Sequence, residues 1–160
     1  MLSAQRREGN LSVYRKYVAV SVLMLLVGAF ALTGCGAKPD GHSVAMAELG
    51  AMPADVMAAP QVVSEAYRFA AANPDTLSQI PCYCGCGAMG HQSNYNCFWQ
   101  NDGKVDTHAL GCGICVDIAQ DVRRGLEQGR SLETIRGQID ADYSRFGPAT
   151  DTPPVAVQSK

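Results

Sequence analysis

Six of the seven cysteines lie between residues 82 and 115. Three occupy alternate positions in the stretch PCYCGCG, and three follow at longer intervals: Cys82, Cys84, Cys86, Cys97, Cys112 and Cys115. In an extended backbone, residues two apart project to the same side. A disulfide between two such neighbours would be strained. The spacing therefore predicts three sulfurs directed at one centre.

A metal site explains this crowding of thiols. Thiolates are soft ligands that select Cu(I), Zn(II) or iron–sulfur centres over hard cations. The pair in Cys112-Gly-Ile-Cys115 has the spacing of zinc-binding cysteines. We therefore predict Cys82, Cys84, Cys86, Cys112 and Cys115 as ligands of Cu(I) or Zn(II). One tetrahedral zinc ion needs only four ligands, so two sites, a cluster, or another role for some thiols all stay open.

Further candidate ligands lie around these cysteines. Cys97 has Phe98 and Trp99 as neighbours, which predicts a half-buried thiol that either seals the site or is structural. His91 follows Cys86 by five residues and can fold back as a ligand. His108 and Met89 are weaker candidates, because single histidines and methionines are more often packing residues. The alternative to metal is a framework of three disulfides that staples a scaffold for protein contacts.

The N-terminus predicts where these thiols reside. Basic residues between Arg6 and Lys16 precede an uncharged apolar stretch that ends in Leu32-Thr-Gly-Cys35. This order is typical of a lipoprotein signal, in which the cysteine becomes the lipidated N-terminus. We predict a signal peptide over 1–34, a lipid on Cys35, and a chain anchored on the extracytoplasmic side of a membrane. A transmembrane anchor with an incidental cysteine is the alternative.

The remaining chain is short and acidic. Residues 35–160 contain nine Lys and Arg against fourteen Asp and Glu, a net charge of −5, which argues against a nucleic-acid partner. This length suits one modest domain. Residues 35–59 are rich in Gly, Ala and Pro and predict a flexible tether.

Residues 60–147 predict a small, mainly α-helical, Cys-rich domain with a metal-binding loop. One helix is expected between Pro60 and Asn73-Pro74, ahead of the cysteines. Two more are expected after Cys115, separated by Gly129 and a partial capping box that starts at Ser131. Residues 148–160 predict a disordered tail.

The stretches PCYCGCG and GHQSNYNCF, followed by a cysteine pair that opens a helix, resemble the PCYCGC-motif lipoproteins over roughly residues 60–147. The resemblance implies a cell-surface lipoprotein that binds metal, with copper handling as the expected role.

The region from Leu110 to Gly147 also resembles the thiol–disulfide reductase domain of cytochrome c maturation. Cys112 and Cys115 match its cysteine pair, whereas Gly111 replaces the arginine of its motif. This resemblance implies a competing function, a dithiol–disulfide oxidoreductase that uses Cys112 and Cys115 as catalytic residues.

The sequence thus favours a lipid-anchored metal-binding protein, with Cu(I) first and Zn(II) second. The expected partners are the membrane, through the lipid, and either a metal donor or acceptor or a thiol-redox protein. Metal binding without catalysis is the favoured interpretation, and the oxidoreductase is its enzymatic alternative.

Overall fold

The computed structural model describes Tyr17 and residues 42–156. Residues 42–156 are mainly helical, as the sequence predicts, and the sheet-like pairing described there is one bridge between Trp99 and Val105. The helices are α1 (Ala54–Ala58), α2 (Gln61–Ala72), α3 (Pro74–Leu77), α4 (Gly113–Glu127) and α5 (Leu132–Tyr143). Short 3₁₀ turns cover Leu49–Ala51, Cys86–Met89, Tyr95–Cys97 and His108–Leu110.

The described part of the chain contains no helix that is both long and apolar enough to cross a bilayer. The predicted lipidation site, Cys35, and all of the predicted signal except Tyr17 lie outside the described residues.

Helix α2 provides one side of the core. It starts directly after Pro60 and ends at Ala72. The next residue, Asn73, caps it, and its side-chain amide donates a hydrogen bond to the Phe69 carbonyl at 2.8 Å. Tyr67 is fully buried, and its ring meets Phe98 edge-on with centroids 5.0 Å apart. The buried face of the helix includes Ala66, Phe69 and Ala70, whereas Val62 near its start is 49% exposed.

Helices α4 and α5 pack against each other and complete the core. Gly129, with φ +71°, lies in the connection between them. Ser131 caps α5 by accepting a hydrogen bond from the Thr134 backbone N–H, which confirms the predicted cap. The two helices approach closely at Gly125, where an added Cβ would lie 2.7 Å from Ile135 Cγ1.

Residues 42–59 differ from the predicted flexible tether. Met52 and Val56, four residues apart, are 7% and 0% exposed. Ala47 N–H donates to the Arg68 carbonyl at 3.1 Å, and Arg68 Nε donates back to the Ala47 carbonyl at 2.6 Å. The core has few aromatic residues, so these short apolar side chains help to fill it, although they are too sparse to give a helical pattern.

The segment after α5 also differs from the predicted disordered tail, as far as Ala156. Thr150 lies against the cysteine motif: its Oγ1 accepts from Cys82 N–H at 2.9 Å, and its N–H donates to the Cys82 carbonyl at 2.9 Å. Arg136 of α5 donates to the carbonyls of Thr152 and Pro153. The segment is held by polar contacts with distant residues, so hydrophobic patterning could not reveal it.

Candidate metal centre

The PCYCGCG stretch bends within the motif. Gly85 has φ +84°, a left-handed conformation that glycine adopts without strain. Cys82 Sγ and Cys84 Sγ lie 3.4 Å apart before the bend, while Cys86 follows it and lies 3.6 Å from Cys97 Sγ. The sulfurs of these four residues all lie within 4.8 Å of one another. The predicted convergence is therefore present, but a glycine turn produces it instead of an extended strand.

The start of α4 brings the second pair of cysteines to the same place. Cys112 is the N-cap residue of the helix, and Cys115 lies in its first turn. Cys115 Sγ is 3.6 Å from Cys82 Sγ and 3.5 Å from Cys84 Sγ. Cysteines separated by about 30 residues are thus in contact because α4 packs against the loop.

A histidine completes the arrangement. His108 Nε2 lies 3.4 Å from Cys84 Sγ. Its backbone N–H donates to Asp106 Oδ1 at 2.9 Å, which fixes the start of the 3₁₀ turn that carries the imidazole. A second group of four donor atoms therefore lies within 4.8 Å of one another, contributed by Cys84, His108, Cys112 and Cys115.

The two four-residue groups share Cys84. Together they contain seven donor side chains, which is the number that two four-coordinate ions need when one thiolate bridges them. In a tetrahedral zinc–thiolate site with Zn–S bonds of about 2.3 Å, neighbouring sulfurs lie about 3.8 Å apart. Within each group, the observed separations of 3.4–3.6 Å between sulfurs are close to that value.

The seven donors differ in exposure. Cys82, Cys97 and Cys115 are fully buried and Cys86 is 2% exposed. Cys84 and Cys112 are only partly buried. The cluster therefore lies in the core but reaches the surface on the side of the shared thiol.

Hydrogen bonds among the thiols separate their pKa values. The hydrogen bond between the Cys82 and Cys115 thiols holds the pKa of Cys82 far below its usual range. Contact with Cys97 lowers the pKa of Cys84 to about 4. The pKa values of Cys97 and Cys115 are raised in turn, because their protons are shared with neighbouring sulfurs. Burial raises the pKa of the Cys112 thiol.

The surrounding fold fixes this cluster. The Tyr83 hydroxyl donates to Asp140 Oδ1 in α5 at 2.7 Å, which ties the motif to the C-terminal helix. Asn94 Nδ2 donates to the Cys115 carbonyl at 3.2 Å, and Asn94 N–H donates to the Ile80 carbonyl at 2.8 Å. These contacts connect both sides of the cluster to one rigid framework.

The cysteines predicted as ligands, including Cys97, come together, whereas His91 lies outside both groups. The sequence ranked His91 above His108 because His91 is nearer to Cys86 along the chain, but the fold places His108 against Cys84. Asp106 was not predicted at all. Asp106 lies two residues before His108, the spacing at which an Asp carboxylate accepts a hydrogen bond from the backbone N–H. This spacing is the sequence signal for its role.

The surroundings of Cys112 and Cys115 bear on the oxidoreductase alternative. A catalytic dithiol requires an exposed thiol with a depressed pKa. Of the two candidate catalytic residues, Cys112 is the more exposed, and burial raises its pKa. Cys115 is fully buried and its pKa is raised by hydrogen bonding with Cys82. No disulfide joins the six described cysteines in the structure.

The chain matches a known protein family. The family model described as "Protein of unknown function with PCYCGC motif" matches residues 24–155, which is most of the chain. Comparisons with curated proteins and with solved structures found no match. The resemblance of the C-terminal region to the thiol–disulfide reductase domain is therefore not supported.

Proposed function

The chain belongs to the PCYCGC-motif family, and from this starting point we propose that it binds two soft metal ions in a shared thiolate cluster, with Cu(I) as its cargo. The observation that carries the proposal is the sharing of Cys84 between two groups of four potential ligands. A thiolate has enough lone pairs to bridge two ions, so the two groups form one centre when both are filled.

The chemistry of the donors supports Cu(I). Six thiolates and one imidazole form a soft ligand set with no carboxylate among them, and such sets select Cu(I) and Zn(II). The partial exposure of Cys84 and Cys112 gives an incoming chelator or protein access to the centre. A cargo ion needs that access, whereas an ion that only stabilises the fold does not.

Structural zinc is the second candidate. The group of Cys84, His108, Cys112 and Cys115 has the Cys₃His composition of many structural zinc sites. Bound zinc would stabilise the fold, since a ligand that binds only the folded chain shifts the folding equilibrium.

The proposal includes a location and partners. A lipid on Cys35 would anchor the chain to a membrane and present the cluster on the extracytoplasmic side, where a metal donor or acceptor can reach it. The support is the signal-like order of basic residues, apolar stretch and Leu32-Thr-Gly-Cys35.

A competitive titration tests the metal proposal. The reduced full chain is titrated with Cu(I) and with Zn(II) under anaerobic conditions, each in the presence of a chromophoric chelator of known affinity. We expect Cu(I) to be bound more tightly than Zn(II). The control is the variant with Cys82, Cys84 and Cys86 replaced by serine. Equal binding by the control and the natural chain would show that the cluster is not the site.

A further inference from the structure

A polar depression lies beside the candidate metal centre. Its volume is about 220 Å³, and its lining includes Met89, His91, Asn96, Gln100 and Asp106. Met89 is 58% exposed, so its thioether is accessible from solvent. The thioether of this residue is a soft donor of the kind that suits Cu(I).

His91 connects the depression to the centre. Its ring meets the ring of His108 edge-on, with centroids 5.4 Å apart. His108 in turn lies 3.4 Å from Cys84. Three soft or intermediate donors, the Met89 thioether and the two imidazoles, thus lie between the surface and the shared thiol.

One ring nitrogen of His91 has no hydrogen-bond partner among the described residues. Nε2 lies 3.5 Å from Asp106 Oδ2, so this carboxylate is the neighbour of that nitrogen. Nδ1 is the other ring nitrogen. It is buried and has no hydrogen-bond partner among the described residues. A buried polar atom without a partner is costly and calls for an explanation such as a bound ion.

We propose that this depression is the port through which Cu(I) enters and leaves the thiolate centre. Met89 and His91 bind the ion transiently, and it then passes to His108 and Cys84 by exchange of one ligand for another. The ion stays Cu(I) throughout, so no electron donor or acceptor is required. This inference rests on the proposed function, because a port is useful only if the centre holds exchangeable metal.

The proposal predicts a change in the rate of Cu(I) loading and no change in the amount of Cu(I) bound at equilibrium. Met89 and His91 belong to neither four-residue group, so their loss should change how fast the centre is filled and not how much metal it holds. The test follows stopped-flow transfer of Cu(I) from a chromophoric chelator to the reduced full chain. The test variant is Met89→Ala/His91→Ala.

The chain offers a matched control in Met57→Ala/His42→Ala. Met57 is 45% exposed, His42 is exposed, and neither lines the depression. We expect the test variant to load markedly more slowly than the natural chain, because both transient ligands of the port are missing. The control should load at the natural rate, and both variants should bind the natural number of ions at equilibrium.

A second test variant, Met89→Leu, is needed because replacement of the mostly buried His91 in the double variant risks a folding defect that would also slow loading. It removes only the thioether of an exposed side chain, and we expect it to load measurably more slowly. Natural loading rates in Met89→Leu and in the double variant would overturn the port. Loss of one bound ion in the double variant would also overturn it, since His91 would then be a ligand of the centre. Absence of Cu(I) binding by the natural chain would instead contradict the proposed function itself.

Discussion

Cys84 is the residue on which the two ligand groups depend. Its sulfur lies 3.4 Å from Cys82 Sγ, 3.5 Å from Cys115 Sγ and 3.4 Å from His108 Nε2. Every other donor belongs to only one of the two groups. The shared position follows from the motif, because the middle cysteine of the three lies just before the turn at Gly85.

Three single substitutions test this arrangement. Cys97→Ser leaves Cys84, His108, Cys112 and Cys115 complete, so we expect this variant to keep one tightly bound ion. Cys112→Ser leaves the other group complete and should also keep one. Cys84→Ser removes a ligand from both groups and should weaken the binding of both ions. Elemental analysis of each purified variant, with chelator competition, measures the outcome.

One outcome of the same three substitutions would contradict the shared role of Cys84. If Cys84→Ser retains one ion at natural affinity while Cys97→Ser or Cys112→Ser loses both, the two groups do not share this thiol.

Metal binding should also release protons. The raised pKa values of Cys97, Cys112 and Cys115 keep these thiols protonated at neutral pH in the metal-free chain. Coordination requires thiolates, so the ion displaces these protons, and the apparent affinity should fall as the pH is lowered. An indicator dye in weakly buffered solution measures the release at pH 7. Uptake of metal without a change in the dye signal would contradict this assignment of protonation states.

At the level of single residues, the cysteine spacing indicates that the thiols converge, whereas the sequence does not show which histidine lies against them. Close cysteine spacing restricts the distance between the thiols, because residues two or three apart in the chain must stay near one another. His91 and His108 are each several residues from the nearest cysteine along the chain, so only the packing of the 3₁₀ turn against the loop decides which of them contacts Cys84.

At the level of elements, helices α4 and α5 form the framework against which the cysteine loop is held. Cys115 is in the first turn of α4, and Tyr83 is tied to Asp140 of α5. The close approach of these two helices at Gly125 therefore bears directly on the position of the thiols.

A pair of glycine substitutions tests this contact. Gly125→Ala places a Cβ 2.7 Å from Ile135 Cγ1 and should lower the free energy of unfolding by about 1–3 kcal/mol through overpacking. Gly137→Ala, in α5, meets nothing within 4 Å and should raise it by up to about 1 kcal/mol through helix propensity. Urea denaturation of the metal-free chains gives both values. Equal effects in the two variants would show that the helices do not meet closely at Gly125.

The long helices could be predicted from sequence because each has an apolar stripe and clear end signals, such as Pro60 and Ser131. Helix α1, the 3₁₀ turns and the segment around Thr150 could not. They are too short for a periodic pattern, and contacts with residues far away in the chain hold them, as between Thr150 and Cys82.

On the scale of the whole molecule, the proposed lipid on Cys35 determines where the cluster works. We expect the natural chain in the membrane fraction to carry a lipid-sized mass increase on a mature N-terminal Cys35. Cys35→Ser should abolish it and give either an unprocessed precursor or a soluble form. Cys112→Ser, a cysteine substitution away from the signal, is the matched control and should be processed normally. Intact mass spectrometry of an unmodified Cys35 within an uncleaved membrane-bound chain would refute the lipid anchor.

The central claim is that one thiolate cluster holds two soft ions. Native mass spectrometry of the reduced full chain, recorded during addition of Cu(I), tests it most directly because it counts bound ions and oxidised cysteines in the same spectrum. We predict a folded species with two Cu(I) ions, absent from the variant with Cys82, Cys84 and Cys86 replaced by serine. Either a natural chain that binds no more Cu(I) than this variant, or native material with all six cysteines paired in disulfides, would contradict the claim.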